Sequence, residues 1–180
     1  NAGYGWSKRM EEYLGKAYAE EFGMKIAIAR PYNAYGPRDD FFAPASHVIP
    51  GILKRIFEGE NPLVVWGSGK QTRSFLYVED FARGLLEVCE KYPVADALNL
   101  GNSEEISIGD LSKLLIELSG AKTDLVFDSS KPEGQPRRTC DVTKAKEKIG
   151  FQSEISLREG LQRTIDWYRN ERKLRGLPII

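Results

Sequence analysis

Residues 4–37, YGWSKRMEEYLGKAYAEEFGMKIAIARPYNAYGP, decide how the fold is read. Met10, Leu14, Ala17, Tyr18 and Phe22 recur at the spacing of one helical face, so residues 6–22 are expected to form an amphipathic helix that stops at Gly23. KIAIAR at 25–30 is short and apolar, the pattern of a buried strand. Residues 31–46, PYNAYGPRDDFFAPAS, carry three prolines and a glycine and are expected to form a long loop. Ordered loops of that length often carry function. This opening helix and strand look like the second half of a doubly wound sheet, with no opening β–α–β unit before them.

The rest of the chain continues the alternation. HVIPGILKRIFEG is expected to be a helix ended by Gly59, with LVVW and SFLYV as strands around the turn GSGKQTR. EDFARGLLEVCEKY is a helix and ALNLG a strand. SIGDLSKLLIELSG is a helix with Ser107 as N-cap, and DLVF is a strand. DVTKAKEKIGF and SLREGLQRTIDWYRNERK are helices capped by Asp141 and Ser156, and KLRGLPII reads as a loose tail. Strands alternating with helices indicate an α/β protein.

Composition narrows the function classes. With 26 Lys+Arg against 26 Asp+Glu, bulk charge gives no reason to expect a nucleic acid polymer as partner, and an anion site has to be local. The longest apolar runs are a few residues, too short to span a membrane. Cys89 and Cys140 lie far apart without CxxC spacing, and His47 is the single histidine, so no metal site is expected. These features fit a cytoplasmic protein.

Several residues invite chemistry. Tyr4 and Lys8 share a helical face at i and i+4, and a nearby ammonium favours the phenolate of a tyrosine. Such a tyrosine can give or take a proton at a carbonyl or carbinol, although the same spacing also describes a surface tyrosine beside a solvated lysine. His47 stands at the junction of the long loop and a helix, and imidazole titrates near pH ~6.5, within reach of proton transfer at neutral pH. Gly69-Lys70 is not a phosphate-binding P-loop: the first glycine of that motif would fall at Val64, and Gln71 stands where Ser or Thr is required. Lys131, Arg137, Arg138 and Lys144 gather around two prolines and a glycine, as either a solvated loop or an anion clamp.

Taken in order, YGWSK with its helix, KIAIARPYNAYGP, and VIPGILKRIFEGENPLVVWGSGKQTRSFLYVEDFARGL resemble the carboxyl-terminal half of the extended short-chain dehydrogenase/reductase family. That family includes the NAD-dependent nucleotide-sugar epimerases, dehydratases and reductases, and the resemblance runs from Tyr4 to about Asn170. It implies the closing half of a doubly wound Rossmann-type parallel sheet plus a smaller α/β substrate-binding domain. Residues 1–36 would then be the remnant of the dinucleotide-binding domain, 37–172 mainly the nucleotide-sugar part interleaved with returning Rossmann elements, and 173–180 a tail.

The resemblance also implies roles. Tyr4, Lys8 and His47 would be catalytic; Tyr4, Lys8, Pro31, Tyr32, Asn33, Ala34 and His47 would meet the cofactor, NADP or NAD. Asn33, Arg55, Trp66, Arg73, Glu133 and Arg138 would meet a nucleotide-diphosphate sugar. Trp66 offers a flat apolar face and Arg73 a forked donor suited to phosphate. His47, 43 positions after Tyr4, and the stretch KPEGQPR are similar to the branch that epimerises a GDP-4-keto-6-deoxy-hexose at C3 and C5 and then reduces C4 with NADPH. That branch often has lysine at Arg138 and aspartate at Glu133. A 4-epimerase or 3,5-epimerase without net reduction, or a non-catalytic sugar-nucleotide binding module, are the alternatives. Members commonly dimerise through the helix bearing the tyrosine, so a homodimer is expected.

A glycine-rich dinucleotide turn is not found in the 180 residues. The family's catalytic Ser/Thr, and the cysteine used for epimerisation, would lie upstream of Tyr4. The expectation is therefore a carboxyl-terminal part of a longer enzyme, which alone binds NADP(H) poorly and does not turn over.

Overall fold

The structure is a computed structural model that describes residues 2–43 and 46–180; Asn1, and Pro44 and Ala45 of the long loop, lie outside the described residues. The element order is α1 (Ala2–Phe22), β1 (Ile26–Pro31), β2 (Ala34–Tyr35), α2 (Val48–Phe57), β3 (Leu63–Trp66), β4 (Thr72–Ser74) and β5 (Leu76–Tyr77). It continues with α3 (Val78–Lys91), β6 (Val94–Leu100), β7 (Glu105–Ser107), α4 (Ile108–Ser119), β8 (Leu125–Asp128), β9 (Arg137–Arg138), α5 (Thr143–Ile149) and α6 (Leu157–Leu174). The expected α/β class is what forms.

The parallel character is carried by β1 with β6, β2 with β5 and β3 with β8. SFLYV does not form one strand. It splits at Phe75, because β5 pairs in parallel with β2 while β4 sits between antiparallel β7 and parallel β9. LVVW and its neighbour across the GSGKQTR turn therefore do not pair with each other.

Local signals account for several helix ends. Ser107 accepts the Asp110 amide and Ser156 the Glu159 amide, each supplying an oxygen to an otherwise unpaired N–H. Gly120 ends α4 in the left-handed region at φ 75°. Asp141 stands one residue before the N-cap Val142 and accepts the Thr143 amide at 2.8 Å.

Helix α1 is longer than expected, and the face it packs is not the bulky one. Glu12, Gly15 and Ala19 turn toward the sheet, and a Cβ on Gly15 would come 3.3 Å from Ile26 Cγ2. Small residues let the helix lie close to β1. Trp6, Met10, Tyr13 and Leu14, on the opposite side, are exposed. Helical period is a local property, whereas the choice of packed face depends on what the sheet presents.

Two cores result. One gathers Tyr35, Phe41, Leu53, Phe57, Leu111, Leu161 and Tyr168 among α2, α4 and α6. The other sets Leu76, Val88, Leu98, Leu100 and Phe151 beneath β6, with α3 and α5. The carboxyl-terminal segment is held rather than loose: buried Arg172 donates from Nε to the Pro178 carbonyl at 2.7 Å, and the Leu177 amide donates to the Arg172 carbonyl. At Gly160 a Cβ would overlap the Tyr35 hydroxyl and lie 2.8 Å from Tyr77 Cδ2. Gly160→Ala is expected to destabilise the chain by about 1–3 kcal/mol through overpacking, seen as a lower urea midpoint at unchanged slope. An unmoved midpoint would mean the two rings yield.

Candidate active site

A cleft of about 530 Å³ opens where the end of β1, the long loop and the start of α2 face β4 and β9. Tyr4, Asn33, Asp39, His47, Arg73 and Arg138 all line it, together with Pro31 and Ala34. A second cavity of about 640 Å³ shares Ala34, Asp39 and His47 and reaches Val78, Glu79 and Trp167.

The first wall comes from α1. Tyr4 is exposed on the first turn, and its carbonyl accepts from Ser7 Oγ at 2.8 Å. Lys8 donates to the Glu11 carboxylate at 3.0 and 3.1 Å, and that hydrogen bond holds its ammonium above the ordinary lysine range. The helix is tied to β1 by Arg30, which forks onto Glu12 at 2.6 and 2.5 Å. The same contact keeps the Glu12 carboxyl below the usual range. Nothing in the one-dimensional pattern couples residues 12 and 30. Their pairing ties α1, which carries Tyr4, to the strand that leads into the long loop.

The loop supplies the second wall. Asn33 takes a left-handed φ of 42°, and its Nδ2 donates to the Ser74 carbonyl at 2.8 Å while its own carbonyl accepts the Leu76 amide. Asparagine tolerates that conformation better than most residues. Tyr32 stands beside it, 5.8 Å from the Arg138 guanidinium, ring centroid to Cζ. His47 begins α2 and is mostly exposed, with Nδ1 3.0 Å from Asp39 Oδ1.

The third wall is cationic, and a two-residue strand explains it. In β9 successive side chains point to opposite faces. Arg137 turns to Glu105, at 2.9 to 3.1 Å, and is neutralised there. Arg138 falls in register with Arg73 across β4 and lines the cleft. Burial, and then the neighbouring Arg138 charge, lower the Arg73 guanidinium below its ordinary range. Among the described residues neither Arg73 nor Arg138 has a carboxylate partner. Two like charges held side by side without a counter-ion favour an anion between them. The cluster of four cations expected from sequence is thereby dispersed: Lys144 is bound to Asp96 at 2.6 Å beside β6.

The remaining sequence-derived residues lie off the cleft lining. Trp66 ends β3 with its ring exposed rather than in a core. Glu133 accepts from the Ser68 amide at 2.9 Å and from the Ser68 hydroxyl, which lowers its carboxyl and straps residues 128–136 to the glycine turn. Arg55 donates to Glu60 and to the Val64 carbonyl. The Arg55 hydrogen bond lowers Glu60, with the Val64 amide adding to it. A lowered carboxylate stabilises the fold above its unfolded value of about 4.3, and that contribution is lost as pH falls through the folded value. Glu60→Gln is therefore expected to cost about 1 kcal/mol or less near neutral pH, because the pair is a third exposed, and nothing in acid. Thermal midpoints of both proteins across pH 2–7 would show it; a constant gap would count against the pair. Cys89 is exposed on α3, while Cys140 is half-buried and burial pushes its thiol up.

The sequence model of the NAD dependent epimerase/dehydratase family matches residues 1–101. A probable GDP-L-fucose synthase of Oryza sativa subsp. japonica is 37% identical over 157 residues, covering 85% of this chain and 48% of its own length. A GDP-L-fucose synthetase structure from Naegleria fowleri aligns with a TM-score of 0.86 at 31% identity, over 94% of this chain and 55% of that one. A UDP-glucose 4-epimerase structure from Thermotoga maritima, with UDP-glucose, aligns at 0.85 and 32%, over 93% and 53%. The chain spans about half the length of the curated relatives it matches.

Proposed function

Since the chain belongs to the NAD dependent epimerase/dehydratase family, we propose that it carries the acid–base pair and the sugar-nucleotide face of a nucleotide-sugar epimerase/reductase. The specific reaction we favour is that of a GDP-L-fucose synthase: epimerisation of GDP-4-keto-6-deoxy-mannose at C3 and C5, then reduction of C4. The observation that carries this reading is one cleft lined by a tyrosine, a histidine and two unpaired arginines.

Exposed Tyr4 beside the wall of Pro31, Asn33 and Ala34, with Lys8 one turn further along α1, suits the ribose and nicotinamide end of a dinucleotide. Tyr4, Lys8, Pro31 to Ala34 and His47 would hold it, and when bound NADP(H) or NAD(H) would supply hydride to C4. Tyr4 gives its phenolic proton to the C4 oxygen as that oxygen gains charge. Lys8 favours the phenolate left behind and binds the ribose hydroxyls. His47 moves protons at C3 and C5. Arg73 and Arg138 clamp the diphosphate, with Trp66, Arg55 and Glu133 toward the nucleoside end. The division at residue 36 between cofactor and substrate parts belongs to the same reading.

Likeness to the Thermotoga enzyme supports a second reading, a 4-epimerase without net reduction. Turnover of the full-length protein in deuterated water separates them. Deuterium at C3 and C5, with one reduced cofactor consumed per product, is expected; absence of cofactor consumption would sink the reductase reading. The exposed face of Trp6, Met10, Tyr13 and Leu14 supports a homodimer through α1. Sedimentation of the full-length protein should give a dimer, and a monomer would count against it.

A further inference from the structure

His47 occupies the N-cap of α2, where a side chain would ordinarily accept one of the unpaired helix amides, yet it makes no such bond. Its ring turns back eight residues to Asp39, with Nδ1 3.0 Å from Oδ1. A carboxylate only accepts hydrogen bonds, so Nδ1 carries the proton of this contact. In the neutral ring the Nε2 lone pair is then left for the cleft. The two partners differ in exposure: the His47 side chain is 78% exposed and the Asp39 side chain 14%.

Asp39 is fixed from three directions. Its Oδ1 accepts the Asp40 amide at 2.7 Å. Its carbonyl accepts the Phe41 amide at 2.9 Å, and Phe41 is fully buried, stacked on Tyr168 of α6 at 4.4 Å between centroids. The preceding Arg38 holds a left-handed φ of 69°, a conformation that a non-glycine residue keeps only where its surroundings impose it. Asp39 Oδ2 is buried and has no partner among the described residues. A largely buried, well-anchored carboxylate therefore faces one exposed imidazole.

We infer that Asp39 is a positioning residue for His47, setting its ring orientation and its Nδ1–H tautomer so that Nε2 is the atom that exchanges protons with substrate. The proton-transfer role rests on the function proposed above; the tautomer does not. No covalent step is involved: Nε2 takes a proton from carbon or returns one, and Asp39 stays a carboxylate throughout.

Because His47 is the only histidine, ¹⁵N labelling of histidine in this chain yields one pair of ring nitrogens. The neutral ring is expected to show a protonated Nδ1 and a bare Nε2. Asp39→Ala should return it to the Nε2–H form that free imidazole prefers, and Asp39→Asn, which keeps the Asp40 contact and the shape, should weaken the preference. A neutral wild-type ring protonated at Nε2, or two variants with unchanged spectra, would overturn the assignment. In the full-length protein Asp39→Asn should slow solvent deuterium exchange at C3 and C5 about tenfold, part of the ~10²–10⁴ that a positioned acid or base supplies. Hydride transfer to an already epimerised ketone should stay within about twofold. Equal loss in both steps would reduce Asp39 to a structural role. If the wild-type protein shows no exchange at all, the functional reading fails while the ring spectrum still decides the pair.

Discussion

Tyr4→Phe in the full-length protein is expected to lower turnover by about 10²–10⁴-fold, the usual worth of a positioned general acid. The substitution removes one hydroxyl and nothing else. Tyr4 is 70% exposed on the first turn of α1, so the fold loses no buried contact when the oxygen goes. The loss should fall equally on kcat and kcat/KM, since the phenol contributes only as charge develops on the C4 oxygen. His47 lines the same cleft and does not replace Tyr4, because it serves C3 and C5 in the proposed reaction. Single-turnover hydride transfer at saturating sugar nucleotide is the direct measurement. Lys8→Met should follow in the same direction with a smaller loss, because it acts through Tyr4 and the ribose. Retention of wild-type rate within a factor of about three by Tyr4→Phe would remove Tyr4 from the proton path.

Replacing Arg73 or Arg138 by alanine should weaken nucleotide-sugar binding about 10- to 150-fold, the equivalent of ~1.5–3 kcal/mol for a hydrogen bond to a charged group. The β4–β9 register sets Arg73 beside Arg138, so in the proposed reading both meet one diphosphate and the double variant should lose less than the sum of the singles. Arg138→Lys keeps the charge and gives up the fork, and should fall between wild type and alanine. Arg138→Ala carries a second, opposite signature. Without an anion, burial and then the neighbouring Arg138 charge disfavour the ionised form of half-buried Arg73; with the second cause removed, this variant should unfold at a urea midpoint no lower than wild type while binding worse. Calorimetric titration with GDP- and UDP-sugars, alongside urea unfolding, reads both effects. Unchanged affinity in both single variants would remove the clamp.

Much was legible along the chain where one residue reports on its near neighbours. Ser107, Ser156 and Gly120 sit where capping chemistry predicts. KIAIAR and LVVW became strands because short apolar runs have few other places to go. Very short strands were not legible: β2, β7 and β9 have two or three residues each and carry no period. They form because a partner strand is already in place, and β9 is the one that sorts Arg137 away from Arg138.

The amino-acid order by itself thus determined the α/β class and the helix ends at Ser107, Gly120 and Ser156, and it named the candidate residues from Tyr4 to Arg138. All of these follow from interactions within a few positions of each other or from a sequence pattern that can be matched directly. Tertiary structure alone decided which face of α1 packs, that Arg30 grips Glu12, that Lys144 leaves the cationic loop for Asp96, and that Asp39 reaches His47. Each depends on which groups the folded chain brings within reach, and nothing in the neighbouring sequence separates the alternatives.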